Sequence, residues 1–410
     1  MSLLPAPLRD PAFRTFFLGR AVSMLGNSMV PVALAFAVLD LTDSASALGL
    51  VLAANSIPMV LFMLVGGVVA DRFSRSQVLV VSHATAALTQ GTVAALLLTG
   101  QASLPLLVAL EAVNGIVRAF TFPAMQGVIP LLVPRGELQR SNALLSFARN
   151  GTFIAGPSLA AVLVVTVGSG WAIAVDAASY LLAAWAMSRL RLPATVRVET
   201  TSTLTDLRDG WSEFRSRTWV WVVVVVFGIT NAIHVGVWST LGPAIAVDTI
   251  GKGPWGAVLS AEAVGFLLMT LVLLRVRLEF PLRAGMLGCA LCAPPMLLLG
   301  IAPQALPLIA LSLAAGAGVE VFGIGWQTAL QENIPVGMLS RVASYDALGS
   351  FVAIPIGQLS AGPLAHLWGR EEVAVSGGLL YAAITLGALA VPSVRRLRAG
   401  APEPATVGGR

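Results

Sequence analysis

The sequence predicts an all-α polytopic membrane protein whose twelve transmembrane helices fall into two six-helix halves. Three observations predict it. Charged residues make up only 11% of the 410 residues and hydrophobic ones 57%, whereas a soluble domain carries about 25% charged residues. Apolar runs of about twenty residues, each long enough to cross a bilayer as a helix, recur along the whole chain. The second half of the sequence also repeats the first. Helices satisfy their own backbone hydrogen bonds in lipid, and the alternating pattern of a transmembrane β-barrel is absent.

The apolar runs place spans at 14–38, 46–70, 77–99, 103–125, 140–166, 171–190, 219–245, 254–276, 283–301, 305–327, 342–368 and 373–393. Most connections are short. The exception is 191–218, "RLPATVRVETTSTLTDLRDGWSEFRSRT", which reads as a polar linker with a short amphipathic helix over 204–214. The chain thus divides into an N-terminal half (1–192), a cytoplasmic linker (193–218), a C-terminal half (219–396) and a tail (397–410). Arg9, Arg14, Arg72, Arg75, Arg135, Arg140, the linker arginines including Arg191 and Arg197, Arg275, Arg277, Arg283, Arg341, Arg395, Arg396 and Arg398 all fall on one side of this count. The other side carries Lys252 and Arg370 beside Asp40, Asp43, Asp248, Glu371 and Glu372. The positive-inside rule then puts both termini in the cytoplasm of a multi-pass plasma (inner) membrane protein. No cleavable signal peptide is apparent. The arginines are scattered over short loops, which argues against nucleic acid as a partner. Cys289 and Cys292 sit one turn apart within span 9 with no further ligands, so no metal and no cofactor is expected.

The repeat is legible residue by residue. Gln126, Ile129 and Pro130 at the end of span 4 match Gln331, Ile334 and Pro335 at the end of span 10, and Gly156-Pro157 matches Gly362-Pro363. An internal repeat of half the chain length in a helical membrane protein is the signature of a transporter with its site near the midplane.

After span 2 the chain reads "GVVADRFSRSQ". Gly67, Asp71, Arg72 and Arg75 match the G-x-x-x-D-R-x-G-R-R loop motif of the major facilitator superfamily, while Ser74 and Ser76 depart from it. The corresponding loop after span 8, "RVRLEFPLRAG", is degenerate. "RAFTFPAMQGVIPLLV" and "RSNALLSFARNGTFIAGPSLA" resemble the drug and siderophore exporter branch that includes enterobactin and macrolide efflux proteins. The resemblance spans essentially the whole chain. It implies that Asp71 meets the N-terminal end of helix 11, where backbone N–H groups carry partial positive charge, and that Arg75 pairs with Asp346 there, forming a conformational latch. The plainer alternative is that these charges only set topology.

Polar residues inside spans are functional candidates by default. Arg20, Ser23 and Asn27 share a stripe on span 1. Glu111, Asn114 and Arg118 do so on span 4, Asn231, His234 and Trp238 on span 7, and Ser312, Gly316, Glu320, Gly323 and Gln327 on span 10. The resemblance implies that helices 1, 4, 7 and 10 line the central cavity. Arg20, Asn27, Asn114, Arg118, Asn231, His234, Trp238 and Gln327 are then the expected cargo contacts, with Arg149, Phe120, Phe322 and Trp326 in support. A structural ion pair of Glu111 with Arg118 and a core role for the aromatics are the alternatives. Glu320, Glu111, Asp176 and Glu262 are the candidate proton carriers, Glu320 foremost. Where many relatives have Gly-Asp in helix 1 this chain has Gly26-Asn27, so the coupling proton rides elsewhere. Gly156 and Pro157 resemble the helix 5 antiporter motif, which favours export.

No phosphate-cradling loop or nucleophilic triad stands out, so an enzyme is not expected. The expected function is export of a small amphipathic organic compound (antibiotic, secondary metabolite or siderophore) by proton antiport with alternating access. An uptake permease or uniporter, or a non-transporting sensor or scaffold on the same fold, is the alternative. The expected partners are the lipid bilayer, the cargo and protons, and a monomer is the expected state.

Overall fold

The computed structural model describes residues 5–42, 45–190, 192 and 203–400. Arg191, Arg197, Asp43 and the last ten residues of the expected tail lie outside the described residues. The elements are α1 (Pro11–Thr42), α2 (Ala45–Arg72), α3 (Arg75–Leu98), α4 (Leu104–Leu132), α5 (Leu138–Val167), α6 (Ser169–Ser188) and the linker helix α7 (Thr203–Ser216). The second half follows with α8 (Thr218–His234), α9 (Gly242–Thr249), α10 (Lys252–Leu273), α11 (Pro281–Ala290), α12 (Ala293–Ile301), α13 (Ala305–Asn333), α14 (Val336–Trp368), α15 (Arg370–Gly387) and a final turn α16 (Pro392–Arg395). Among the described residues eleven helices are long and apolar enough to cross a membrane, or twelve if the pair Val336–Gln358 and Ser360–Trp368, bent by 42°, is one span.

Several helices run past the apolar limits of their spans. α4 reaches Leu132 and α13 reaches Asn333, because the helix continues through the polar residues beyond the hydrocarbon. α14 begins at Val336, two turns before the apolar run. Span 7 is built from α8, a π-helical turn over Val235–Leu241 and α9. Span 9 divides into α11 and α12 just before Pro294 and Pro295. Proline removes a backbone donor and interrupts the helical ladder there.

The chain separates into two compact units. Unit 1 comprises Met1–Glu137, Leu145–Ser212 and Val336–Tyr345, and unit 2 comprises Leu138–Leu144, Glu213–Pro335 and Asp346–Arg410. Each unit therefore takes up one short piece of sequence from the opposite half of the chain.

In unit 1, α2 packs on α4, α3 on α4 and α6, and α1 on α6. A core of Met29, Leu34, Val38, Val51, Val93, Leu107 and Ile173 fills the space among them. In unit 2, α10 and α11 pack on α13, and α12 packs on α15, around Trp238, Ile245, Trp255, Met296, Leu299 and Tyr381. Large apolar side chains such as Leu61, Val165 and Leu306 are exposed, as lipid-facing positions require.

The repeat reappears as geometry. A Cβ on Gly115 of α4 would run into the Asn55 carbonyl of α2, and one on Gly316 of α13 would run into the Glu262 carbonyl of α10. Small residues are what let such backbones approach. Asn55 and Glu262 thus hold the same place in the two halves. The links into α6 and α15 are likewise single glycines in the left-handed region, Gly168 (φ 98°) and Gly369 (φ 96°).

Candidate functional site

The loop motif after α2 is built as a buried charge cluster within unit 1. Asp71 is 6% exposed and Arg75 1%. Asp71 Oδ1 accepts from Arg75 Nη2 at 3.0 Å. Asp71 Oδ2 accepts the backbone N–H of Arg341 at 3.3 Å and faces the Arg341 guanidinium at 3.5 Å. Arg75 also donates to the carbonyls of Gly127 (3.0 Å) and Val336. Asp71 therefore sits against the second turn of α14, held by the N–H and the guanidinium of Arg341.

Gly67, one turn earlier, leaves room for that approach, since a Cβ there would strike the Ser344 hydroxyl. Arg72 is exposed. Asp71 closes α2 and Arg75 opens α3, so the short turn between the two helices brings the carboxylate onto the guanidinium; within unit 2, Asp346 accepts the indole N–H of Trp326 at 3.0 Å.

The span 4 stripe turns inward. Glu111 is 2% exposed and accepts from three carboxamides: Asn55 (2.8 Å), Gln90 (3.2 Å) and Asn114 (3.3 Å). The Asn114 carbonyl in turn accepts from Thr89 of α3, so this buried side chain is spent on packing rather than presented to cargo. Arg118 is exposed and makes no ion pair with Glu111. It donates instead to Asn55 Oδ1 at 3.0 Å, so Asn55 bridges the two charges. Asn55, Thr89 and Gln90 escaped the sequence reading because isolated amides and hydroxyls give no periodic signal.

On α1, Arg20 is half-buried and makes no side-chain hydrogen bond among the described residues. Asn27 accepts from the Tyr180 hydroxyl of α6 at 2.7 Å. Asp176 of α6 is fully buried, receives only a long 3.4 Å bond from Ser179, and leaves Oδ2 without a donor. A Cβ on Gly156 of α5 would meet the Ser28 hydroxyl, so Gly156 brings α5 against α1, and α5 continues helically through Pro157.

In unit 2 the span 10 stripe is also a packing face. Ser312 and Glu320 are 0% and 2% exposed, and they flank Gly316 where α13 lies against α10. Glu320 accepts from Thr270 of α10 at 2.8 Å. The expected cavity position of Glu320 is therefore corrected: the glycine that permits close helix approach turns its neighbours at i±4 to the same interface. Trp238, in the π-helical turn, is 4% exposed and donates its indole N–H to Glu262 Oε2 at 3.1 Å. Glu262 is half-buried. Of the cargo contacts expected in this half, Asn231, His234 and Gln327 are half-buried and carry no side-chain hydrogen bond among the described residues. Phe322 stacks on Phe227 at 4.7 Å and is buried with Trp326, while Phe120 is half-buried. Among the described residues no His, Cys, Asp or Glu cluster is arranged to hold a metal.

One further polar contact carries no sequence signature. Gln139, at the start of α5, donates to the carbonyls of Leu273 (3.0 Å) and Val276 (2.6 Å) and accepts the Leu278 N–H (2.8 Å). It holds the degenerate loop after α10 with neutral bonds alone.

The family described as transmembrane secretion effector matches residues 3–403. The chain is 22% identical over 395 residues to macrolide efflux protein A of Streptococcus pyogenes, covering 94% of this chain and 97% of that protein. It is 25% identical over 385 residues to the multidrug efflux pump Tap of Mycolicibacterium fortuitum, covering 91% and 93%. Its fold resembles a bacterial homologue of the iron transporter ferroportin in the outward-facing state, with a TM-score of 0.74 at 18% identity, over 93% of this chain and all of that one. The chain belongs to the transmembrane secretion effector family of major facilitator superfamily transporters.

Proposed function

We propose that this transporter exports a small amphipathic organic compound from the cytoplasm by proton antiport, through alternating access, with both termini cytoplasmic. The names of relatives matching over nearly their whole length, macrolide and multidrug efflux proteins, support the direction. The observation that carries the coupling is the exposure of the four intramembrane acids. A carboxyl group that exchanges protons with two aqueous compartments must be reached by water. Glu111, Asp176 and Glu320 are at most 2% exposed, whereas Glu262 is half-buried and held by one indole N–H. Glu262 is therefore the proposed proton carrier. Its bond to Trp238 ties it to the π-helical turn of span 7, a departure from α-helix of the kind often found at functional sites.

The test is uptake of labelled macrolides, phenicols and siderophores into everted membrane vesicles. Accumulation of at least one compound that collapses when the pH gradient is dissipated supports the reading. Accumulation indifferent to the gradient removes antiport, and a flat panel with functional protein removes export.

A further inference from the structure

We propose that Asp346 of unit 2 is a second proton-exchanging carboxyl group, placed toward the opposite membrane face from Glu262. Its role in transport rests on the antiport reading, while the proton site itself stands on the geometry of unit 2.

Asp346 and Glu262 are built alike. Asp346 is half-buried and accepts the indole N–H of Trp326 at 3.0 Å. Glu262 is half-buried and accepts that of Trp238 at 3.1 Å. Both indoles are buried, at 5% and 4% exposure, and both are braced by other rings. Trp326 lies parallel to Phe322 at 6.1 Å and edge-on to Trp219 at 5.7 Å, and Phe322 stacks on Phe227 at 4.7 Å. Trp238 lies 4.9 Å from Trp255. Each acid is thus held at a fixed place by a donor that its neighbours keep from turning. An indole N–H takes up one of the roughly four lone-pair sites of a carboxylate, and partial exposure lets water reach the rest. Protonation of Asp346 by hydronium forms an O–H bond on Oδ1. The indole goes on donating to Oδ2, now a carbonyl oxygen, and the bond weakens because its acceptor has lost its charge.

Glu320, the remaining candidate acid of unit 2, lacks this design, being 2% exposed and bonded to Thr270. Asp346 and Glu262 also mirror each other in depth. Asp346 lies ten residues into α14 and Glu262 ten residues into α10, about 15 Å at 1.5 Å per residue. In the proposed topology α14 starts at the cytoplasmic face and α10 at the opposite one. Antiport exchanges a proton with each compartment, and unit 2 carries one indole-held acid toward each.

The charged and titratable groups on the elements around Asp346 have other partners or other places. α14 lies against α8, where a Cβ on Gly228 would meet the Gly349 carbonyl. α8 carries no Asp, Glu, Lys or Arg, and its His234 lies beside Trp238. On α13, Glu320 takes Thr270 and Glu332 accepts the Gly400 N–H. On α14 itself, Tyr345 donates to the Leu207 carbonyl and Arg341 pairs with Asp71. Among the described residues of unit 2, the Trp326 indole is the group that bonds Asp346.

The test uses the full chain in phosphatidylcholine nanodiscs, with its nine tryptophans replaced by 5-fluorotryptophan. Fluorine NMR is recorded from about pH 4 to 9 without gradient or cargo, and W326F and W238F assign the two resonances. The Trp326 resonance is expected to shift through a one-proton transition that is lost in D346N and moved in midpoint by D346E. The Trp238 transition is expected to be unchanged in both variants and lost in E262Q. Absence of a Trp326 transition in the parent overturns the proposal. So does a Trp326 transition that persists in D346N or keeps its midpoint in D346E, and the D346E comparison decides if D346N fails to insert. In proteoliposomes D346N is expected to keep downhill exchange and lose uphill flux, and uphill flux at the parental rate overturns the role in coupling. Proton-coupled export with a silent Trp326 removes only this inference. An Asp346 transition with export indifferent to the gradient removes the antiport reading and leaves the proton site.

Discussion

Asp71 and Arg75 are buried charges that satisfy each other and the start of α14 at once. Breaking a buried ion pair by removing one partner costs about 3–5 kcal/mol, because the other charge stays buried without compensation. Asp71→Asn is therefore expected to lower the midpoint of thermal unfolding in detergent and to abolish transport while membrane insertion continues. An Asp71→Asn protein with parental stability and transport would reduce these charges to topology markers. Gly67→Leu is expected to act on the same contact by sterics, since even a Cβ at 67 meets Ser344. Here the sequence was informative, because the spacing of Gly67, Asp71 and Arg75 has a mechanical reason. The partner of Arg75 was not legible. The helix break between Arg72 and Arg75, which folds the carboxylate of Asp71 onto the guanidinium, has no signature in the spacing.

At the scale of elements, the polar stripes of spans 4 and 10 carry the main lesson. A face of small and polar residues at three-, four- and seven-residue spacing looks the same whether it lines water or packs on a neighbour. In α13 it packs: Gly316 admits the α10 backbone and Glu320 bonds Thr270 across the interface. The α1 stripe gave a mixed result, with Arg20 left open and Asn27 taken by Tyr180.

Two contacts at helix ends give tests of their own. Gln139→Ala deletes three bonds to the end of α10 and the following loop. At about 0.5–1.5 kcal/mol each, this is expected to cost a few kcal/mol and to raise amide hydrogen exchange of residue 278 and its neighbours. Unchanged exchange there would mean the loop is held by other contacts. The linker helix α7 is tied to α14 by the Tyr345 hydroxyl, which donates to the Leu207 carbonyl at 2.9 Å, and by the Trp211 ring against Tyr345. Tyr345→Phe is expected to speed hydrogen exchange across Thr203–Ser216 without changing it in α3.

At the scale of the molecule, the fold class and the repeat were legible because lipid imposes them: apolar length, helical hydrogen bonding and paired glycines all follow from the solvent. On the proposed coupling, the chemistry was less legible because it turns on which of four acids water can reach, a property of packing. That point is also where the account is most exposed. Its central claim, coupling of export to protons through Glu262, is tested most directly in proteoliposomes loaded with a cargo identified in vesicles, with an imposed pH gradient. The parent protein and Glu320→Gln are expected to move cargo uphill, the latter with lower yield of folded protein. Glu262→Gln is expected to allow downhill exchange and no uphill flux. Uphill transport by Glu262→Gln at the parental rate, or loss of coupling in Glu320→Gln alone, would contradict the account.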